Sequence, residues 1–468
     1  MEHRVSVVEQ LATFVAGTSY EDLSRNARLQ LKIRILDTLG CAIGAIGADS
    51  VRKVRAYAKA WCADGPCTLI GGGHSAPDRA ALVNGALGRY LDFNDSYLAP
   101  RETCHPSDNF AAVLAAAELA NADGLTLLTS LAVAYQVQCR LSDVAPVRNR
   151  GFDHTTHLAY SAAAGSARAL GMDAEHTAHA IAISGAALNA LRVTRTGALS
   201  NWKGLAAPFA GSAALEATLL ARRGITGPLG VFEGNKGFYD AVAGPFDIDW
   251  EAEDLERITA TILKKFNAEI HSQSAIQAAL DLRQLGGFSL EQIATIQVEI
   301  FDVGYHIIGG GDEGDKTLVM TKEDADHSLP YLVSVALIDG AVMPEQYDPE
   351  RIQRDDVQDL LCRVFIHQNR NYSRRFPEEM LSRVLVTLRD GRQVELERRD
   401  YPGFSTNPMS WSDVHEKFVE LAAPHASAMD LTELASAVEN LENIRVRELT
   451  QILSRVNAPT QSSTIAAA

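Results

Sequence analysis

The chain has 468 residues, 46% of them hydrophobic and 22% charged, which is the composition of a folded globular protein and excludes a largely disordered one. Its formal net charge of −16 excludes nucleic acid as the working partner, because phosphate binding needs a concentrated basic face, and it disfavours docking on an anionic membrane. If the substrate is an anion, the cations that hold it must be gathered locally against that background, so clustered Lys and Arg carry unusual weight.

Length predicts roughly two to three domains. The opening "MEHRVSVVEQLATFVAG" has the apolar spacing of an amphipathic helix and lacks the continuous apolar centre of a signal peptide. No apolar run approaches the length of a membrane span. Six cysteines are scattered without a CxxC pair, a pattern that predicts reduced thiols in a cytoplasmic protein and no structural metal.

From residue 5 to about 268 the pattern is helical. "SYEDLSRNARLQLKIRILDTLGCAIGAI" predicts a helix opening at Ser19 with Glu21 and Asp22 in its first turn. "NFAAVLAAAELA", "GLTLLTSLAVAYQVQCRL", "LAYSAAAGSARALG" and "AEHTAHAIAISGAALNAL" follow, with faces of Ala, Gly and Ser that let neighbouring helices approach closely, and Gly171 placed to cap one of them. The texture then changes. "ATIQVEIF" alternates Ile296, Val298 and Ile300 with polar residues as a half-buried strand does, "RVFIHQN" reads as another strand, and "RVLVTLRDGRQVELERR" is two alternating runs joined by Asp390-Gly391. The expectation is a mainly helical fold: a large all-helical domain over residues 1–268, a smaller α+β lid domain over 269–403, a returning helical segment over 404–456 and a disordered tail over 457–468.

Four polar clusters interrupt these elements. "LDFNDSYLAPRETCHPSDN" places Asp92, Asn94, Asp95 and Ser96 ahead of His105, supplying an acid and a base on a loop carried by helices, although Asp95, Ser107 and Asp108 also suit plain helix caps. "RGFDHTTHLAY" adds Asp153, His154 and His157, any of which could equally be a cap or a surface residue. "ALRVTRTGALSNWKGLAAP" holds Arg192, Arg195 and Lys203 among small residues, either a carboxylate cradle or a solvated loop. "LKKFNAEIHSQS" sets Lys264, Lys265, Glu269 and His271 at the change of texture; an exposed Lys264–Glu269 pair is the plainer alternative. The glycine runs "LIGGGHSAPD" and "IIGGGDEGDK" do not fit a phosphate loop: the first lacks GK[ST] and the second ends in acids, so both read as turns or a flap.

In this order the clusters resemble the MmgE/PrpD family, which includes 2-methylcitrate dehydratases and cis-aconitate decarboxylases. The resemblance covers about residues 7 to 455 and rests on "LIGGGHSAPDRAALVNGALGRYLDFNDSYLAPRETCHPSDN", "FDHTTHLAYSAAAGSARALGM", "LRVTRTGALSNWKGLAAP", "VFEGNKGFYD" and "FNAEIHSQSA". It implies a helical domain with an α+β lid, a homodimer, an active site between the domains, and catalysis with no metal and no organic cofactor. The matching catalytic positions are Asp92, His105, His154, Lys203 and Lys264, with Ser96 where Thr is frequent; Ser96, Arg192, Arg195, Glu269 and His271 are the expected substrate-binding residues. Decarboxylase members resemble "KRFPAH" where this chain has "KKFNAEIHSQS", which puts Glu269 in place of that His and favours dehydration of a tricarboxylate such as 2-methylcitrate. Alternatives are decarboxylation of cis-aconitate, another polycarboxylate lyase or isomerase, or a carboxylate-binding protein without turnover.

Overall fold

A computed structural model of the chain describes residues 5–197 and 199–456. It forms two compact units: the first holds residues up to Arg192, Gly204–Thr261 and Ser410 onward, the second Val193–Lys203 and Ile262–Met409. Residues 193–203 thus belong with the second unit, whereas the sequence pattern keeps them in the helical first segment. Helix accounts for 58% and strand for 10% of the described residues, a mainly helical fold. The expected tail at 457–468 lies outside the described residues.

In the first unit, helices Phe110–Leu119, Gly124–Val144 and Thr155–Ala169 pack on one another through small residues. Gly165 shows why: a methyl group there would come within 2.8 Å of both Ala134 Cβ and Val113 Cγ2, so the close approach requires glycine. The helix Trp411–Ala422 returns from late in the sequence to lie on Arg25–Gly44. Its Lys417 ends in a buried ion pair with Asp37 at 2.7 Å and donates to the Phe93 carbonyl at 2.8 Å, beside Asp92.

The Arg25–Gly44 helix begins later than Ser19. Ser19 and Asp22 first close a separate turn, with the Asp22 carboxylate accepting from the Ser19 backbone N–H at 2.7 Å, and Ser24 then caps the helix by accepting from Ala27 N–H at 3.0 Å. Two serine caps in series split what a continuous apolar spacing joins. The helical expectation also fails over residues 222–268, which hold only short turns; there glycine and proline interrupt the backbone, and the aromatic rings of Phe232, Phe238 and Phe246 supply the packing, Phe232 stacking on Tyr160 at 4.9 Å. Among the described residues one helix, Trp202–Ala221, is long and apolar enough to cross a membrane by length and composition, contrary to expectation, but 61% of that window is buried in the fold, as in the core helix of a globular protein.

The second unit is built on a four-stranded sheet in the order Val364–Gln368, Ile293–Ile300, Ser382–Leu388, Gln393–Arg398, the first pair parallel and the others antiparallel. Ile296, Val298 and Ile300 are fully buried, as their alternation predicts, and the turn at Asp390-Gly391 joins the last two strands. The helix Gln273–Leu285 packs on this sheet and on helix Leu329–Asp339.

Candidate functional site

In the first unit the segment after helix Pro77–Tyr90 is held by its own polar groups. Asp92 has a left-handed backbone at φ 55°, a conformation that costs a non-glycine residue energy and recurs at functional positions. Its carboxylate takes the Arg89 guanidinium at 2.5 Å, and Arg89 also reaches Asn94 Oδ1 at 3.3 Å. Asp95 is fully buried and accepts from Ser107 N–H at 3.0 Å and from the Tyr135 hydroxyl at 2.8 Å. Burial pushes its carboxyl above the usual range, against the opposing effect of these donors.

This wiring positions His105. Its Nδ1 lies 2.8 Å from the Asp95 carbonyl and 3.1 Å from Ser96 Oγ. A carbonyl only accepts, so Nδ1 carries the proton and, in the neutral ring, Nε2 carries the lone pair. The His105 and His154 rings stand edge to face with centroids 5.3 Å apart. His154 Nδ1 is 3.5 Å from the carboxylate of Asp153, which also takes Arg192 at 3.8 Å and the Thr155 N–H at 3.1 Å at the start of helix Thr155–Ala169. His157, three residues on, is structural. Its Nε2 donates to the Ala145 carbonyl at 2.8 Å, and burial lowers its pKa. Asp92, Ser96, His105, His154 and Arg192 therefore belong to one neighbourhood of this unit. The acceptor at the His105 ring is the Asp95 carbonyl, and Asp92 holds Arg89.

The second unit carries the cations. Lys203 is buried, and its ammonium lies 2.7 Å from Asp326 Oδ1 and 2.8 Å from His327 Nδ1. Asp326 also pairs with Lys322 at 2.7 Å and with His327 at 2.7 Å, and its backbone carbonyl accepts from Glu269 N–H at 3.0 Å. Burial alone would raise the Asp326 carboxyl, but the charges of Lys203, Lys322 and His327 hold it well below the usual range. Glu269 caps the turn that follows it, accepting from His271 N–H at 2.7 Å and meeting His271 Nδ1 at 2.6 Å. It is likewise opposed by burial, yet His271, His327 and Lys264 bring it down to about 2. Lys264 is fully buried, so the exposed-pair reading of Lys264 and Glu269 does not hold. Gln273 clasps the connecting turn, accepting from Lys265 and Phe266 N–H at 3.1 and 3.0 Å and donating to the Phe266 carbonyl at 2.9 Å.

Lys203, Lys264, Glu269 and His271 are thus gathered around Asp326 and His327. Arg195 joins them, with Nη1 3.5 Å from the Lys203 carbonyl. Arg192 and Arg195 are the two ends of one short 3-10 turn, and Arg192 also pairs with Asp153 at 3.8 Å. Sequence reasoning missed Arg89, Lys322, Asp326 and His327. A signal for the last two was present: "KEDADHSLPYL" sets an acid and a histidine just ahead of an apolar helix, as "FDHTTHLAY" does.

Residues 9–251 match the MmgE/PrpD N-terminal domain and residues 266–443 the MmgE/PrpD C-terminal domain. The chain is 28% identical to a 2-methylcitrate dehydratase of Cupriavidus necator over 83% of its own length and 82% of the relative's. It is 26% identical to the mitochondrial 2-methylcitrate dehydratase of Yarrowia lipolytica, with 85% and 79% covered, and 24% identical to the cis-aconitate decarboxylase of Mus musculus, with 94% and 91% covered.

Proposed function

The chain belongs to the MmgE/PrpD family, and from that premise we propose that it is a hydro-lyase that dehydrates 2-methylcitrate to 2-methyl-cis-aconitate, and citrate to cis-aconitate. The observation that carries this reading is the gathering of Lys203, Lys264, Lys322 and His327 around two buried, ionised carboxylates in an otherwise acidic protein. Such a cluster suits a polyanion whose charge grows during reaction.

The reaction removes a proton from carbon next to a carboxylate and a hydroxyl from the adjacent carbon, leaving a double bond and water. The first proton is poorly acidic, and its removal spreads negative charge onto the neighbouring carboxylate. A cation fixed in a water-poor site stabilises that charge where it develops, the role we give Lys203 and Lys264, with Arg192 and Arg195 as further carboxylate contacts. His105 takes the proton on Nε2, since Nδ1 is committed to a carbonyl. His154 donates to the departing hydroxyl, the Asp153 carboxylate stabilising its imidazolium. Asp92 and Ser96 hold the loop and the His105 ring. His271 and Glu269 order the cationic wall. A Glu269 carboxyl down at about 2 is ionised at working pH and supplies no proton, which fits dehydration better than protonation of the carbanion left by loss of CO2.

The test uses the full-length, metal-stripped protein with 2-methylcitrate, citrate and cis-aconitate, following the ultraviolet absorbance of the new double bond and CO2 release. Absorbance rising with 2-methylcitrate without CO2 supports the proposal; CO2 from cis-aconitate with no dehydration overturns it in favour of the decarboxylase reading. We further propose a cytoplasmic homodimer. All six cysteines are thiols, and Trp202, Phe209 and Leu220, 46%, 49% and 46% exposed, fall on one face of their helix. Sedimentation showing only monomer would remove the dimer.

A further inference from the structure

The glycine run "IIGGGDEGDK" has no part in the chemistry above, and the fold brings its last residue beside the cationic wall of the second unit. Asp315 Oδ1 accepts from the Thr317 N–H at 2.8 Å and hydroxyl at 2.7 Å, and the Ser328 hydroxyl donates to the Lys316 carbonyl at 2.5 Å. Ser328 follows Asp326 and His327 directly and caps helix Leu329–Asp339. The backbone of Lys316 is thereby clamped on both sides, next to the residues that hold Lys203. Gly310 and Gly314, at φ 96° and 93°, let the loop turn back to reach that position.

The Lys316 side chain is half-buried, yet within the described residues its ammonium makes no hydrogen bond and no ion pair. The other lysines of the wall are engaged: Lys203 and Lys322 share Asp326, and Lys264 lies in the field of Glu269. Burial lowers the Lys316 pKa, while Glu313, Glu269, Asp324 and Asp326 act on it from a distance and favour its charge. A cation with three spare N–H donors, carried on a clamped stretch of backbone bonded to Ser328 and paired with none of the wall's carboxylates among the described residues, is arranged for an anion that arrives from outside.

We propose that Lys316 is a specificity residue that binds one carboxylate of the substrate and so distinguishes tricarboxylates from dicarboxylates. The inference rests on the polycarboxylate reading above and adds to it the residue that counts carboxylates.

The experiment titrates the full-length protein calorimetrically with tricarballylate, which has three carboxylates and no hydroxyl to lose, and with glutarate, which has two. In Lys316→Gln tricarballylate should bind about 20-fold or more weaker while glutarate changes less than about twofold, and Lys316→Arg should recover most of the loss. With 2-methylcitrate the Gln variant should raise KM by a similar factor and leave kcat within about threefold. Equal weakening of both acids, or of neither, in a variant with wild-type circular dichroism and Tm overturns the inference while leaving the reaction intact. Wild-type protein that binds neither acid overturns the polycarboxylate reading itself. Because the titration requires no turnover, the two failures remain distinct.

Discussion

The imidazole neighbourhood of the first unit and the cationic wall of the second are built by different means. Around His105 the wiring is local: Asp92, Asn94, Asp95, Ser96 and Ser107 lie within 15 residues of one another, and the ring is oriented by the Asp95 backbone carbonyl with Ser96 Oγ beside it. Around Asp326 the partners come from residues 203, 264, 269, 322 and 327, and side-chain charges do the orienting. The first arrangement sets direction, fixing which ring nitrogen faces outward. The second sets potential, and it depends on every charge being present. Removing one member of a backbone-wired loop should therefore silence chemistry with little loss of stability, whereas removing one member of the ion network should damage both.

The hardest blow to this contrast would come from His105→Gln. We expect kcat to fall about 1,000-fold or more, with Tm unchanged, read by the absorbance assay and thermal unfolding. Lys203→Met comes next in activity, about 100- to 1,000-fold in kcat/KM. It should also lower stability, because Asp326 loses one of its counter-charges in a buried setting; a Tm equal to wild type would show that the wall is not an interdependent network. Asp326→Asn should cost about 3 kcal/mol or more of unfolding free energy in denaturant titration, since two lysines and a histidine lose their shared carboxylate.

Acid titration probes the same network. Glu269 is down at about 2 in the fold against an ordinary 4.5, and Asp326 is depressed as well. For Glu269, a folded value below the unfolded one means that its stabilisation is complete above about pH 4.5 and is lost as pH falls through about 2. Glu269 contributes about 3 kcal/mol by this linkage, so Glu269→Gln should flatten the fall in unfolding free energy between about pH 5 and pH 2; an unchanged slope would place the acid sensitivity elsewhere. The smallest effect is expected at Ser96→Ala. Its hydroxyl is a second contact at His105 Nδ1, at 3.1 Å, so kcat should drop only about threefold to tenfold and Ser96→Thr should restore it.

Much of the helical fold is legible in the sequence because small-residue faces and apolar spacing repeat over long helices, and the last two strands are legible because Asp390-Gly391 sits between alternating runs. The start of the Arg25–Gly44 helix is not, since two consecutive serine caps leave the apolar spacing unbroken. Of the candidate site, His105 and His154 stand out by sitting just ahead of helices rich in alanine. His157 looks the same on paper, and only its bond to the Ala145 carbonyl marks it as structural. Arg192 and Arg195 stand at the two ends of one short helical turn, but the pairing of Arg192 with Asp153, far back in the chain, is not written in the local pattern.

The order of the amino acids is enough to establish the mainly helical architecture, the acidic background that makes any gathered cation informative, and the family, since these depend on composition, periodicity and local pattern. Folding in three dimensions is what stands Asp326 and His327 beside Lys203, keeps Glu269 ionised in a buried place, and leaves Lys316 without a partner among the described residues. Charge interactions act through space in a medium of low polarity, so their partners are set by the packing of segments far apart in the chain, and no spacing along it records them.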